Sequence, residues 1–355
     1  MSAKRSFRPS SCVLFLLLAL PLLFSGCDRV STLYPGRPNP SADSALEVHF
    51  IDVGQADSAL LLCGGESMLI DGGNVADSSL VVSYLAEHGV DSLDYVVCTH
   101  AHEDHVGGLS GPLSQFQAGV VLSPVREYDS KAFEDFVTYT NAQNLELTIP
   151  SPGNQWILGG AKVTVLGPLT DYEETNNTSI VLRVDYGETS FLFTGDMERS
   201  AELDLVESGA ALSATVLKIG HHGSATSSSY LFLREVNPQY AVISVGRDNS
   251  YGHPDEAVMS RLRDANVPVY RTDMQGTIVA VSDGSTVSFA TETNSSPNTN
   301  PDRAESYGTY IGNRNSHIYH RPDCSGLPAE QNQVYFEHRQ AAEEAGYTPC
   351  SRCKP

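Results

Sequence analysis

Basic side chains are scarce in this chain: 22 lysines and arginines stand against 43 aspartates and glutamates in 355 residues, a formal charge of −21. The deficit sits in residues 46–290, which carry 11 basic and 33 acidic side chains. Such a body favours solubility and repels phosphate backbones at long range, which speaks against tight, sequence-independent nucleic-acid binding. It leaves open local binding at a metal-charged cleft. Cysteine is also sparse, seven in all, and too unevenly spread for a disulfide framework. Cys12 and Cys27 fall near the N-terminus, Cys63 and Cys98 lie in apolar runs that read as buried thiols, and Cys324, Cys350 and Cys353 cluster near the C-terminus. The one long hydrophobic run, Val13 to Phe24, is short for a membrane span. No pore-forming segment follows it, and no internal repeat is evident.

What is present divides the chain into five parts. Lys4, Arg5 and Arg8 before the apolar run give residues 1–27 the layout of a signal peptide. Residues 28–45, rich in Pro, Ser and Gly, read as a tether. Residues 46–290 alternate apolar strand-like runs with helical spacings, the mixture expected of two sheets covered by helices. Helices are expected at Asp77 to His88, Lys131 to Asn144, Glu198 to Glu207 and Asp255 to Asn266. Residues 291–306 read as a linker, and 307–355 as a small module with five basic and five acidic side chains.

The densest chemistry is Thr99-His100-Ala101-His102-Glu103-Asp104-His105-Val106-Gly107-Gly108, directly after the strand-like run Leu93 to Cys98. Imidazoles two apart, with a carboxylate at the next alternate place, converge on one or two metal ions when they leave the carboxyl edge of a sheet. Three later stretches also end strand-like runs. Phe191 to Phe193 lead into Thr194-Gly195-Asp196, and Lys218-Ile219-Gly220-His221-His222-Gly223 offers two adjacent imidazoles that point apart. One of these is expected to bind metal and the other to meet substrate, with His221 preferred as the ligand and His222 given to catalysis. Lys218 is expected to hold an anion near the site, or else to snorkel from its strand. Ser250-Tyr251-Gly252-His253-Pro254 supplies a further histidine, able to donate a proton to a leaving oxygen or to hold a phosphate, or simply to cap the helix that follows.

His100-x-His102-x-Asp104-His105 resembles the HxHxDH signature of the metallo-β-lactamase superfamily. The stretches His49 to Asp57, Leu69-Ile70-Asp71-Gly72-Gly73 and Tyr251-Gly252-His253-Pro254 narrow the resemblance to the hydrolase domain of the competence protein ComEC. It implies an αββα sandwich with metals at one edge, liganded by His100, His102, Asp104, His105, Asp196 and His221. Asp104 would bind or orient water and Asp196 would bridge two divalent ions, zinc or manganese. One departure bears on the metal: the region Thr175-Asn176-Asn177-Thr178-Ser179 lacks the histidine that many members carry there. Asparagine is a poorer ligand for zinc and a better one for harder ions. Leu23-Phe24-Ser25-Gly26-Cys27 resembles a bacterial lipobox and implies a lipid on Cys27, a membrane anchor and an extracytoplasmic location.

In the C-terminal module His320-x3-Cys324 and Cys350-x2-Cys353 have the spacing of a closed tetrahedral zinc site, which a module of this size needs in place of a large core. A disulfide among the three cysteines is the competing reading. The stretch resembles the metal-binding domain of the DNA-repair regulator Ada, with His320 where that family has its methyl-accepting cysteine, so zinc binding is implied and methyl transfer is not. Arg321, Arg352 and Lys354 flank the ligands and could meet phosphate. Together these readings predict a metal-dependent hydrolase, with DNA phosphodiesters the preferred substrate. A lactam, lactone or ester hydrolase and a non-catalytic DNA receptor are the alternatives. No protein partner is inferable.

Overall fold

A computed structural model describes residues 45–293, 310–320, 324–336, 342–343 and 345–353. The expected signal peptide, the tether up to residue 44, most of the linker, Arg321 and Lys354 lie outside the described residues.

Fourteen strands build the large body. They are β1 Leu46–Phe50, β2 Ala59–Cys63, β3 Glu66–Ile70, β4 Ser92–Val97, β5 Gln117–Leu122, β6 Gln155–Leu158, β7 Ala161–Gly167, β8 Val181–Tyr186, β9 Thr189–Phe193, β10 Val216–Lys218, β11 Tyr240–Ile243, β12 Val269–Arg271, β13 Ile278–Ser282 and β14 Val287–Thr291. They form two sheets of seven, ordered β14-β13-β1-β2-β3-β4-β5 and β12-β11-β10-β9-β8-β7-β6. Each sheet is antiparallel on one side and parallel on the other: β3, β4 and β5 in the first, β9 to β12 in the second. Parallel strands all end at one edge of their sheet, so the loops after β3, β4, β9 and β10 emerge where sites are built.

Period-two patterning makes the sandwich. On β1, Leu46, Val48 and Phe50 face the core between the sheets, with Leu61, Ile70, Val163, Leu182, Phe191 and Val216. His49 points the other way and meets the hydroxyl of Tyr84 at 2.8 Å. Strand β10 is buried on both faces, Val216 inward and Leu217 toward the helices, as a parallel strand covered on both sides must be.

Helices cover the outer faces. On the first sheet lie α1 Ser78–Glu87, α2 Glu103–Val106, α3 Ser110–Gln115 and α4 Lys131–Ala142; on the second lie α5 Arg199–Ser208, α6 Tyr230–Val236 and α7 Glu256–Asp264, and a short turn, α8 Thr272–Gln275, follows β12. Ser130 caps α4 by accepting from the Phe133 amide at 3.2 Å, and Phe133, Phe136 and Thr140 form its buried stripe. Asp255 caps α7 in the same way through the Ala257 amide at 2.7 Å. The layer order is αββα, as the resemblance implies. Strand β6 and helix α6 were not expected; each is short and lacks a clear apolar period. Among the described residues no helix is long and apolar enough to cross a membrane.

The loops after β3 and β4 meet backbone to backbone. Gly72 N donates to His105 O and Gly108 N to Gly73 O, at 2.8 and 2.9 Å. A Cβ on Gly108 would fall 1.8 Å from the Gly72 carbonyl oxygen. Gly108→Ala must therefore push apart the turns that hold Asp71 and His105. The expected loss is about 3 kcal/mol or more, read by denaturant unfolding. Gly153→Ala, where φ is +87° and nothing lies within 4 Å, should cost only about 1 kcal/mol from backbone strain. Equal losses at the two positions would show that the close approach does not matter.

Candidate metal centre

The loop after β4 brings its histidines inward because its backbone is fixed from both sides. Asp71, at the end of β3, accepts from the Thr99 amide and hydroxyl at 2.8 and 2.7 Å and from His105 Nδ1 at 2.8 Å. With Nδ1 donating, His105 presents Nε2 to the cleft, the arrangement that orients a metal-binding imidazole. That Nε2 lies 3.2 Å from Asp196 Oδ1. Both atoms are buried and face each other as an ion pair, without a well-aligned hydrogen bond. Asp196 follows β9 and is held by its amide donating to Ser179 Oγ at 3.1 Å.

The second histidine pair sits on a turn with two left-handed residues in succession, His221 at φ 52° and His222 at φ 53°. This costly backbone brings both Nε2 atoms toward Asp196 Oδ2, so the two rings do not point apart as the sequence suggests. His222 goes inward: Nδ1 donates to the Ser244 carbonyl at 3.0 Å, and Nε2 lies 3.3 Å from Asp104 Oδ2 and 3.6 Å from Asp196 Oδ2. His221 stays nearer the surface, Nδ1 facing Glu198 Oε1 at 3.4 Å and Nε2 facing Asp196 Oδ2 at 3.8 Å.

One potential ligand atom from each of Asp104, His105, Asp196 and His222 lies within 4.8 Å of all the others. Two carboxylates and two imidazoles form a donor set that suits a divalent ion, which would take the place of the proton on His105 Nε2 opposite Asp196 Oδ1. His222, expected to serve catalysis, joins the close set, and His221, the expected ligand, stands beside it with Nε2 3.8 Å from Asp196 Oδ2. His100 and His102 stand beside it, His100 Nε2 being 3.1 Å from His102 Nδ1 and 4.0 Å from Asp196 Oδ2. His253 is one ring further out, its centroid 5.9 Å from that of His221.

The expectation for Lys218 is corrected as well. Its ammonium is buried and lies 2.9 Å from both oxygens of Asp57, and it donates to the Ile219 carbonyl at 3.0 Å, so its charge is matched by a carboxylate of the protein and is not turned to a bound anion. Asp57 and Asp71 were missed as site residues although both stand in the stretches that carry the resemblance. Glu198, which accepts from Thr226 Oγ1 and Asn176 Nδ2 at 3.0 and 3.1 Å while facing His221, gave no signal in the sequence. Asn177 uses its side-chain carbonyl to accept from the Glu198 amide at 3.0 Å, which leaves Asn176, whose buried Oδ1 has no hydrogen-bond partner, as the available oxygen.

The electrostatics follow from burial and proximity. Burial, then the positive charge on His105, holds His100 well below the ordinary imidazole value, so it is a neutral donor. Burial also opposes charge on His105 and His222, but Asp196 with Asp71 at the first, and Asp196 with Asp57 at the second, outweighs it and raises both. Asp196 is driven well below the carboxylate range, burial being overcome by His105 and His222.

The small module is built from β15 Tyr310–Asn313, β16 Ile318–His320, β17 Gln333–Phe336 and β18 Thr348–Pro349, in the order β17-β15-β16-β18. Strands β16 and β18 are parallel neighbours, so His320 and Cys350 leave adjacent strand ends. His320, Cys324, Cys350 and Cys353 converge within 4.8 Å, and none of the three cysteines is in a disulfide. The amides of Gly326 and Arg352 donate to Cys324 and Cys350 sulfur, both at 3.4 Å. Burial opposes ionisation of Cys350, yet the amides of Cys353 and Arg352 lower its pKa. The donor set fits zinc.

The two-sheet sandwich with a histidine–carboxylate cluster at one edge defines a metallo-β-lactamase-type protein. Residues 51–247 match the Metallo-beta-lactamase superfamily, and the chain belongs to that family. Residues 299–355 match the metal binding domain of Ada. The chain is 29% identical over 258 residues to ComE operon protein 3 of Bacillus subtilis (67% of this chain, 33% of the relative). It is 34% identical over 245 residues to competence protein ComA of Neisseria gonorrhoeae (68% and 33%). It is 30% identical over 239 residues to recombination protein 2 of Haemophilus influenzae (65% and 28%). The chain thus spans about a third of the length of these relatives.

Metal ligation at His105 and His222 must displace protons, because their folded pKa values are raised. Affinity should rise with pH and level off only above those raised values, and calorimetric titration at neutral pH in buffers of different ionisation heat should show proton release. Asp71→Asn should weaken metal binding roughly 10- to 100-fold without touching a ligand. Unchanged affinity would remove Asp71 from the centre.

Proposed function

We propose that the chain is a divalent-metal-dependent phosphodiesterase that acts on DNA outside the cytosol. The observation that carries the hydrolytic reading is the convergence of Asp104, His105, Asp196 and His222, two carboxylates and two imidazoles within 4.8 Å of one another. The similarity to proteins named for competence and recombination, and the Ada-type tail, favour DNA over a lactam or ester. The acidic body fits a site whose affinity for phosphate is confined to the cleft.

Asp104, His105, Asp196 and His222 would hold one ion; His100, His102 and His221, beside them, are the residues that would hold a second, with Asn176 in place of the absent histidine. When bound, such ions supply Lewis acidity toward a phosphoryl oxygen and acidify water. The chain's own residues do the rest. Asp71 and Glu198 fix the faces of His105 and His221. His253 is neutral in the free protein, its pKa lowered by burial and by His221 and His222. A phosphodiester beside it favours the imidazolium, which can then protonate the leaving oxygen. The tail binds one zinc of its own, and a lipid on Cys27 anchors the mature protein.

Asp104→Ala and Asp196→Ala should each lower metal occupancy and abolish DNA cleavage. His253→Ala should keep the metals and slow turnover by roughly 10²-fold. Manganese should serve at least as well as zinc. If the loaded protein cleaves no DNA and instead opens a lactam or lactone, the substrate is misassigned. Cys350→Ser should remove one zinc from the protein and leave the metals of the large body in place, measured by mass spectrometry of bound metal; an undiminished count would exclude the tail site. Cys27→Ser should release the protein from the membrane fraction, and continued retention at the same mature mass would exclude the lipid anchor.

A further inference from the structure

The site is one section of a longer row of rings. Starting at Tyr251, each ring contacts the next: Tyr251 to His253 at 5.7 Å between centroids, His253 to His221 at 5.9 Å, His221 to His222 at 6.3 Å, and His222 to His105 at 5.4 Å. The row continues from His105 to His100 at 4.1 Å, His100 to His102 at 4.9 Å, and His102 to Tyr128 at 6.4 Å. Six histidines therefore link two tyrosines in one row of ring contacts. Tyr128 is half-buried, edge-on to Phe133. Tyr251 is 72% exposed and nearly parallel to His253, at 20°, so its outer face is open.

Exposure here is not looseness. Asn249 pins the turn: its amide donates to the Gly246 and His253 carbonyls at 2.9 and 2.7 Å, and its oxygen accepts from the Tyr251 and His253 amides at 3.2 and 3.0 Å. A large flat side chain held on a fixed turn, at the end of a catalytic row, is a pre-organised stacking surface. The body around it has 33 acidic and 11 basic side chains in residues 46–290. It cannot draw on the cation ladder and counterion release that hold duplex DNA. Ring stacking gives affinity without charge, and it works on bases out of a duplex, because inside a duplex both faces of each base are covered by its stacked neighbours.

We propose that Tyr251, with Tyr128 as the opposite wall, stacks nucleobases on either side of the scissile phosphodiester and makes the enzyme selective for single strands and frayed ends. The inference rests on the DNA reading above. A base on the outer face of Tyr251 lies one ring beyond His253, which places the attached phosphate along the histidine row.

Two measurements on the full chain test it. The first is anisotropy with a fluorescent single-stranded thymidine oligonucleotide, bound to protein carrying Asp196→Asn to prevent turnover. Adding Tyr251→Ala should weaken binding at least about tenfold, Tyr251→Phe should restore it, and replacing the thymidines by abasic sites should mimic the loss. Tyr230→Ala, at an equally exposed tyrosine on α6 (66%), should do nothing, and salt should weaken binding only slightly. The second is the kinetics of the manganese-loaded protein: Tyr251→Ala should act through KM on a single strand and narrow its advantage over the same sequence as a blunt duplex. Equal affinity for the abasic and thymidine strands, or duplex and single strand cut equally well by the parent protein, would overturn the proposal. Base-dependent binding without cleavage by the loaded protein would uphold the stacking surface and overturn the hydrolytic reading instead.

Discussion

The buried carboxylate of Asp71 is the point on which the site depends. It ends β3, in a left-handed residue at φ 58° that only a tight turn requires. From there it takes hydrogen bonds from Thr99 and His105, and so ties the end of one parallel strand to the loop that follows the next. Burial raises its pKa despite His105 and the Thr99 donors, which marks how costly a carboxylate is at this depth. The structure keeps it because a histidine can ligate through Nε2 only if something holds Nδ1. Beyond it, the glycine turns at 72–73 and 107–108 touch backbone to backbone, so no side chain can intervene between the carboxylate and the histidine loop.

The second sheet answers the first. Asp196 and His222 leave β9 and β10, adjacent parallel strands, and meet Asp104 and His105 across the sandwich edge. The Lys218–Asp57 pair links the end of β10 to the loop between β1 and β2 nearby, with both partners buried and compensated. This is a structural ion pair beside a functional cluster, and its breakage would leave an unpaired buried charge. The charge pattern then has a simple division: a strongly acidic exterior, and an edge where carboxylates are neutralised by imidazoles and, on the proposed reading, by metal.

Much of this was legible before any coordinates. The cluster from His100 to His105 is legible because a short loop keeps near neighbours together, and Asp196 and the His221-His222 pair because each follows an apolar strand that reads as parallel and buried. The choice between His221 and His222 was not legible, since it turns on two left-handed residues that no periodicity reports. Lys218 misled for a related reason: its partner Asp57 is 161 residues away in sequence. Glu198 orients His221 from the first residue before α5, where a carboxylate reads as an ordinary helix-start residue. Strand β6, Gln155 to Leu158, has only one fully buried residue and pairs only with β7 at a sheet edge, so it leaves little hydrophobic trace.

The most direct test of the account is anomalous diffraction from crystals of the full chain grown with manganese. The account predicts a peak within bonding distance of Asp104, His105 Nε2, Asp196 and His222 Nε2, with Asp71 still on His105 Nδ1. A peak held only by His100 and His102, or by His221 with His222 turned away, would contradict it.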